Sequence, residues 1–179
     1  MNFKYELTKQ DFIDFNLFHI LYAKSTRQSY FIRRYIFSLS FLTLPFLLAQ
    51  FTDVRVEYWL AIFILYYIYW VVFYPKRIKN MVSRKISKMV DRGKTDNVLG
   101  SHSLTVSQDS IIDKSEQTEV KTQVSAIHNI VEDKEHIFIY VNEDSAHIIP
   151  IKTFLNKTQK QEFQEFLRQR VGQKNYNIL

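Results

Sequence analysis

The sequence predicts a membrane protein: a two-helix transmembrane hairpin plus a cytoplasmic α+β domain, its antiparallel sheet closed by a C-terminal helix. Three observations predict it. Two runs of eighteen residues, 35–52 and 58–75, contain no charged side chain; basic residues gather beside them; and from Gly100 the apolar spacing changes from helical to alternating.

The first element is short. Phe3, Tyr5 and Leu7 alternate like a strand, and Thr8 to Asp11 has the spacing of a capping box, leading into DFIDFNLFHILYAK. This helix carries Phe12, Phe15, Phe18 and Tyr22 as an aromatic side. Asp11 and Asp14 disfavour contact with anionic headgroups, so the aromatic side is expected to dock on the C-terminal sheet. Residues 1–34 thus read as a cytoplasmic strand and amphipathic helix.

Residues 35–75 form the hairpin. As helices, each uncharged run reaches about 27 Å, close to a hydrocarbon core of about 30 Å. A polar stretch of thirty-four residues ahead of the first run sets it apart from a cleaved signal peptide. Arg27, Arg33 and Arg34 precede the spans, whereas Lys76, Arg77, Lys79, Arg84, Lys85 and Lys88 follow them. By the positive-inside bias both termini are cytoplasmic, and these nine cations are the candidate contacts for anionic lipid. Tyr58 and Trp59 at one end, with Trp70, Phe73 and Tyr74 near the other, suit interfacial aromatic belts. Tyr66, Tyr67 and Tyr69 lie nearer the midplane, where a bare hydroxyl is costly; Ser40 and Thr43 are expected to hydrogen-bond to them across the hairpin. Residues 76–94 then read as a basic juxtamembrane helix with Ile78, Val82, Ile86 and Met89 on one face and Gly93 as its stop.

Residues 95–179 change period. SHSLTVS, DSIIDKS, EVKTQVS, EHIFIYVN and SAHIIPIK are short β-branched or aromatic runs separated by turn residues, which predicts five antiparallel strands. Thr158 is the expected N-cap of a final helix whose apolar face holds Phe163, Phe166 and Leu167, with Arg170 beside them.

Chemistry is sparse. The chain has no cysteine, which excludes thiolate catalysis, disulfides and Cys-based metal sites, and its three glycines form no phosphate loop. No HExxH, nucleophile elbow or calcium loop occurs. His19, His102, His128, His136 and His147 are scattered without ligand spacing and read as polar or half-buried surface residues. Ser101, His102 and Ser103 alternate across a strand, which opposes a nucleophile–base pair. Glu132-Asp133 and Glu143-Asp144 read as acidic turn residues. The net charge of +6 does not mark a nucleic-acid binder: 76–94 holds eight basic residues against one acidic, whereas 95–179 holds nine against twelve. The spans carry no ionisable group of the kind an ion pathway needs. No catalytic, cofactor-binding or metal-binding residue is therefore assigned.

Five stretches carry a family resemblance: YELTKQDFIDFNLFH, YPKR, LGSHSLTVSQDSII, AIHNIVEDKEHIFIYV and IIPIKTF. Together they resemble the YcxB-like family of bacterial membrane proteins, most tellingly at Leu99-Gly100, Ile149-Pro150 and Phe154. The resemblance implies a PH-like C-terminal domain and a bacterial plasma-membrane location, and supplies no catalytic residues. The expected function is a non-enzymatic, multi-pass membrane protein presenting a cytoplasmic interaction domain. Its expected partners are the lipid bilayer and a protein or a second copy, with no nucleic acid, small-molecule substrate or cofactor. An immunity factor against membrane-active peptides and an enzyme working at the bilayer surface are the alternatives.

Overall fold

The computed structural model describes residues 1–172 and 176–178. They form two compact units: Met1–Asn16 with Lys85–Leu179, and Leu17–Arg84.

The first unit is built from two four-stranded sheets. In one, β1 (Asn2–Leu7), β2 (Gly100–Val106), β3 (Ser110–Lys114) and β4 (Glu119–Gln123) lie side by side in chain order, all antiparallel. In the other the order is β7-β6-β5-β8, from β5 (Asn129–Glu132), β6 (His136–Tyr140), β7 (Ala146–Pro150) and β8 (Tyr176–Ile178). Among the described strands only β5 and β8 run parallel, with Ile130 opposite Tyr176. The five strands expected from the sequence are β2, β3, β4, β6 and β7. β5 escaped that reading because four residues are too few to display an alternation.

The N-terminal segment completes this unit. β1 buries Phe3, Tyr5 and Leu7 and pairs along β2, with Phe3 opposite Leu104. α1 (Lys9–Tyr22) begins at the expected box: the Thr8 N–H donates to Asp11 Oδ2 at 2.8 Å and the Asp11 N–H to Thr8 Oγ1 at 3.2 Å. Its buried residues are Asp11, Ile13 and Phe15, with Phe15 against Phe138 and Tyr140 at ring separations of 5.5 and 6.2 Å. Docking thus uses Phe15 as expected, but Ile13 and Asp11 join it, while Phe12 stays half-buried. β6 explains the arrangement, since all five of its residues are buried. Its even-numbered residues His136, Phe138 and Tyr140 share one face with α1 upon it, and Ile137 and Ile139 take the other.

α6 (Lys157–Val171) is capped by Asn156, whose side chain accepts from the Gln159 N–H at 2.8 Å. The cap is therefore Asn156 and not Thr158, and the helix gains its first turn. Phe163 and Leu167 are fully buried, and the Phe163 ring packs against Phe3 and Phe154 at 5.3 Å each. Phe166 is only half-buried and lies beneath the Arg170 guanidinium.

The second unit is helical. α2 (Lys24–Phe31), a π turn Ile32–Ile36, α3 (Phe37–Leu39), a 3-10 turn Ser40–Thr43 and α4 (Leu44–Phe51) follow without interruption. The tightening has a cause in Pro45, which lacks an N–H for the Phe41 carbonyl; the Leu44 N–H takes that carbonyl in 3-10 fashion. α5 (Val56–Val90) runs thirty-five residues straight through Pro75. The juxtamembrane helix expected over 76–94 is therefore the second half of α5. It ends near Gly93, whose φ is +65°, with the Gly93 N–H on Val90 O and the Lys94 N–H on Met89 O, a Schellman closure.

Pro75 leaves the Val71 carbonyl without its helical donor, and Arg34 supplies one, with Nε at 3.1 Å. Ring contacts hold the same pair of helices: Tyr30 to Tyr74 at 5.3 Å and Phe41 to Tyr66 at 5.8 Å.

Candidate functional site

Inside the sheet unit a chain of polar side chains crosses from one sheet to the other. Asp113 of β3 is its centre. Asp113 Oδ1 lies 2.9 Å from His102 Nδ1 of β2, Oδ2 lies 3.2 Å from His147 Nδ1 of β7, and the Tyr5 hydroxyl of β1 donates weakly at 3.4 Å. The far nitrogens are also engaged. His102 Nε2 meets the Val98 carbonyl at 2.9 Å, and His147 Nε2 meets Thr122 Oγ1 of β4 at 2.9 Å. His102, Thr122 and His147 are each 8% exposed, so water contributes little to satisfying them.

These contacts favour particular donor and acceptor roles. A carboxylate and a backbone carbonyl only accept, so His102 satisfies both by donating from both nitrogens, as the imidazolium. His147 is satisfied as the Nδ1–H tautomer with the Thr122 hydroxyl donating to Nε2. Burial pushes the Asp113 carboxyl up, yet the hydrogen bonds from the two imidazoles and the charge of His102 outweigh it and hold it at about 2. For His102, burial opposes the charged ring, while Asp113 and the Val98 carbonyl carry its pKa above the ordinary value. Burial and the neighbouring Asp113 charge both push the Tyr5 phenol up.

A cavity of about 210 Å³ opens on this cluster, walled by Leu7, Val98, Val120 and Ile148 beside the polar floor. With every ring nitrogen bound, neither imidazole is positioned as a free base towards it. Among the described residues no group of three or more His, Asp or Glu is arranged to hold a metal ion.

Two further buried carboxylates anchor helices to the sheets. Asp11 takes His136 Nε2 at 2.9 Å and Lys152 Nζ at 3.3 Å besides its capping bonds; burial pushes it up, but Thr8, His136 and Lys152 bring it to about 2. Glu132 of β5, only 4% exposed, receives Lys160 Nζ at 2.6 Å, Gln164 Nε2 at 2.6 Å and the Tyr176 hydroxyl at 2.8 Å. It joins α6 and β8 to β5, which corrects its reading as an acidic turn residue. Asp133 does cap the turn, accepting from the Glu135 and His136 N–H groups.

His102, His136 and His147 are likewise core groups and not surface ones. Alternation carried the signal. His102 shares a strand face with Leu104 and Val106, Asp113 with Ile111, and His147 with Ile149, all apolar and inward.

The expected lipid contacts divide. Arg27, Arg33, Lys76, Lys79, Arg84, Lys85 and Lys88 are exposed. Arg34 is not free for lipid: besides Val71 it stacks over Tyr35 at 5.0 Å. Arg77 covers the Trp70 ring at 5.1 Å. On the same helix Val82 and Ile86 of the expected apolar face are 8% and 3% exposed, while Ile78 and Met89 are half-buried. Ser40 and Thr43 do not reach the tyrosines; their hydroxyls donate to Phe37 O at 2.6 Å and Ser40 O at 2.7 Å in their own helix. A local carbonyl lies within reach of a short side chain, and a distant phenol does not. Tyr66 packs instead through its ring on Phe41, and Tyr69 on Phe73 at 4.6 Å.

The segment from the end of β2 through most of α6 now has its geometry. Residues 106–167 match the family model described as YcxB-like protein. This YcxB-like segment contains Asp113, Thr122, Glu132 and His147, whereas Tyr5, His102 and Asp11 reach the same clusters from outside it. No curated protein and no solved structure matches the chain.

Proposed function

We propose that this chain is a non-enzymatic integral protein of a bacterial plasma membrane, in which the 26–51 and 56–90 helices span the bilayer and present a cytoplasmic PH-like interaction domain. One observation carries it: the most apolar eighteen-residue windows of helices 26–51 and 56–90 have mean hydropathies of 1.4 and 1.7, and only 11% and 0% of those windows are buried within the protein. Water is a poor solvent for such faces, and lipid is a good one. The exposed cations 76–88 beside the second span favour a cytoplasmic location for both termini. Two antiparallel-rich sheets closed by α6 support the PH-like reading, and the fully engaged His102 and His147 support a binding role over catalysis. Its partner is a protein surface or a second copy, with anionic lipid at the exposed cations.

Fractionation tests the placement. The protein is expected to stay with membranes after carbonate and high-salt washes and to leave only with detergent; release by either wash would overturn it. Reporters that fluoresce only in the cytoplasm should light at both termini, and a dark terminus refutes the orientation.

A further inference from the structure

We propose that His102 is a proton-held clamp: as the imidazolium it fastens the α5–β2 connection, residues 91–99, onto the sheets, and loss of its proton releases that connection and opens the adjoining cavity. The argument starts from acceptors. His102 Nε2 reaches the Val98 carbonyl, the hydrogen bond by which the ring grips the connection, and Nδ1 reaches Asp113. A neutral ring keeps a single N–H. The Asp113 carboxylate is the stronger acceptor, so the proton stays on Nδ1, and the lone pair on Nε2 then faces the Val98 carbonyl oxygen at 2.9 Å. Two lone pairs at that distance repel, and the connection moves away.

The groups facing His102 favour its charged form. Asp113 of β3 supplies the counter-charge, Tyr5 of β1 stacks on the ring at 5.3 Å, and His147 of β7 shares Asp113 from the opposite sheet. The raised pKa of His102 agrees. The sign follows: the clamp holds below the pKa of folded His102 and opens as pH rises through it. The buried Thr95 seats the first half of the connection, and around Val98 the other hydrogen bonds to the sheet are long. The Ser115 and Thr118 hydroxyls approach the Asn97 carbonyl only at 3.5 and 3.4 Å. Asn97, Val98, Ser115 and Thr118 all line the 210 Å³ cavity, so freeing Val98 enlarges the opening over Asp113.

Because the chain has no native cysteine, one introduced thiol reports one position. The full chain carrying Val98→Cys is held in lipid nanodiscs and labelled with a methanethiosulfonate reagent between about pH 6 and about pH 9, around the range in which imidazoles titrate. Rates are divided by those of Leu155→Cys, an 88% exposed position, to remove the thiol's own titration. The ratio is expected to rise about tenfold, the equivalent of about 1.4 kcal/mol for one charge-assisted hydrogen bond. With His102→Gln added, it should be high and flat. Thr122→Val, which severs only the His147 end, should preserve the rise. Nitrogen NMR of the otherwise native chain provides a readout independent of any variant's folding: both His102 nitrogens should be protonated at neutral pH. A neutral His102 ring there, or a flat ratio in the His102-containing protein, overturns the proposal.

Discussion

The helical and sheet units meet the same difficulty, a polar group away from water, in opposite ways. In the helices the polar group is backbone: Pro75 orphans one carbonyl, and a single long side chain, Arg34, reaches over from the preceding helix to satisfy it. In the sheets the polar groups are side chains brought in as a set, and Asp113, His102, His147 and Thr122 satisfy one another. The helical solution is a local repair. The sheet solution is a network, and removing its centre leaves several groups unpaired at once.

The sharpest way to break that contrast is Asp113→Ala. It strands a buried imidazolium and should cost about 3–5 kcal/mol, seen as earlier loss of sheet signal in denaturant while the helical signal of 17–84 persists. A cost under about 1 kcal/mol would mean the network is not a unit.

Acid gives the next largest effect. The folded pKa values of Asp113 and Asp11 lie near 2, below the ordinary carboxylate value of 3.8. The stability they lend is thus fully present above about pH 4 and lost as pH falls through about 2, and for Asp113 it amounts to roughly 2 kcal/mol. Acid melts of the native chain and Asp113→Asn should converge at the low end, and parallel curves would refute the linkage.

The helical repair is smaller. Arg34→Ala should destabilise the helix pair by about 1–2 kcal/mol, and by much less when Pro75→Ala restores an N–H to the Val71 carbonyl. Equal costs in the two backgrounds would show that Arg34 works instead through the Tyr30 hydroxyl, to which its Nη1 donates at 3.3 Å, and the Tyr35 ring. Smallest of all, Asn156→Ala should lower stability by about 1 kcal/mol and Thr158→Ala by far less, because Asn156 holds the α6 cap.

Legibility follows the same division. Absence of charge and helical spacing are properties of contiguous sequence, so the two apolar helices, β1, the capping box at Thr8 and most strands were readable. Ser40 and Thr43 were misassigned because a side chain's nearest acceptor depends on its own helix. The Asp113 cluster draws on residues 5, 98, 102, 113, 122 and 147, and no single window contains it. Its trace was the placement of His102, Asp113 and His147 at inward positions of alternating strands. Charge typing alone assigns such residues to the surface. β8 lay beyond reach for another reason, since three residues pairing parallel to a strand more than forty positions earlier have no local signature.

β1 and β2 are partners in register yet nearly a hundred residues apart, and both apolar helices lie between them in the chain. During synthesis, residues 2–7 therefore wait, exposed on the ribosome's far side, until both helices have been made and residues 100–106 have cleared the exit tunnel. The second sheet waits longer, for residues 176–178. Translation thus imposes a schedule in which the oily segments are complete before β1 can meet its partner, and the sheet unit closes last.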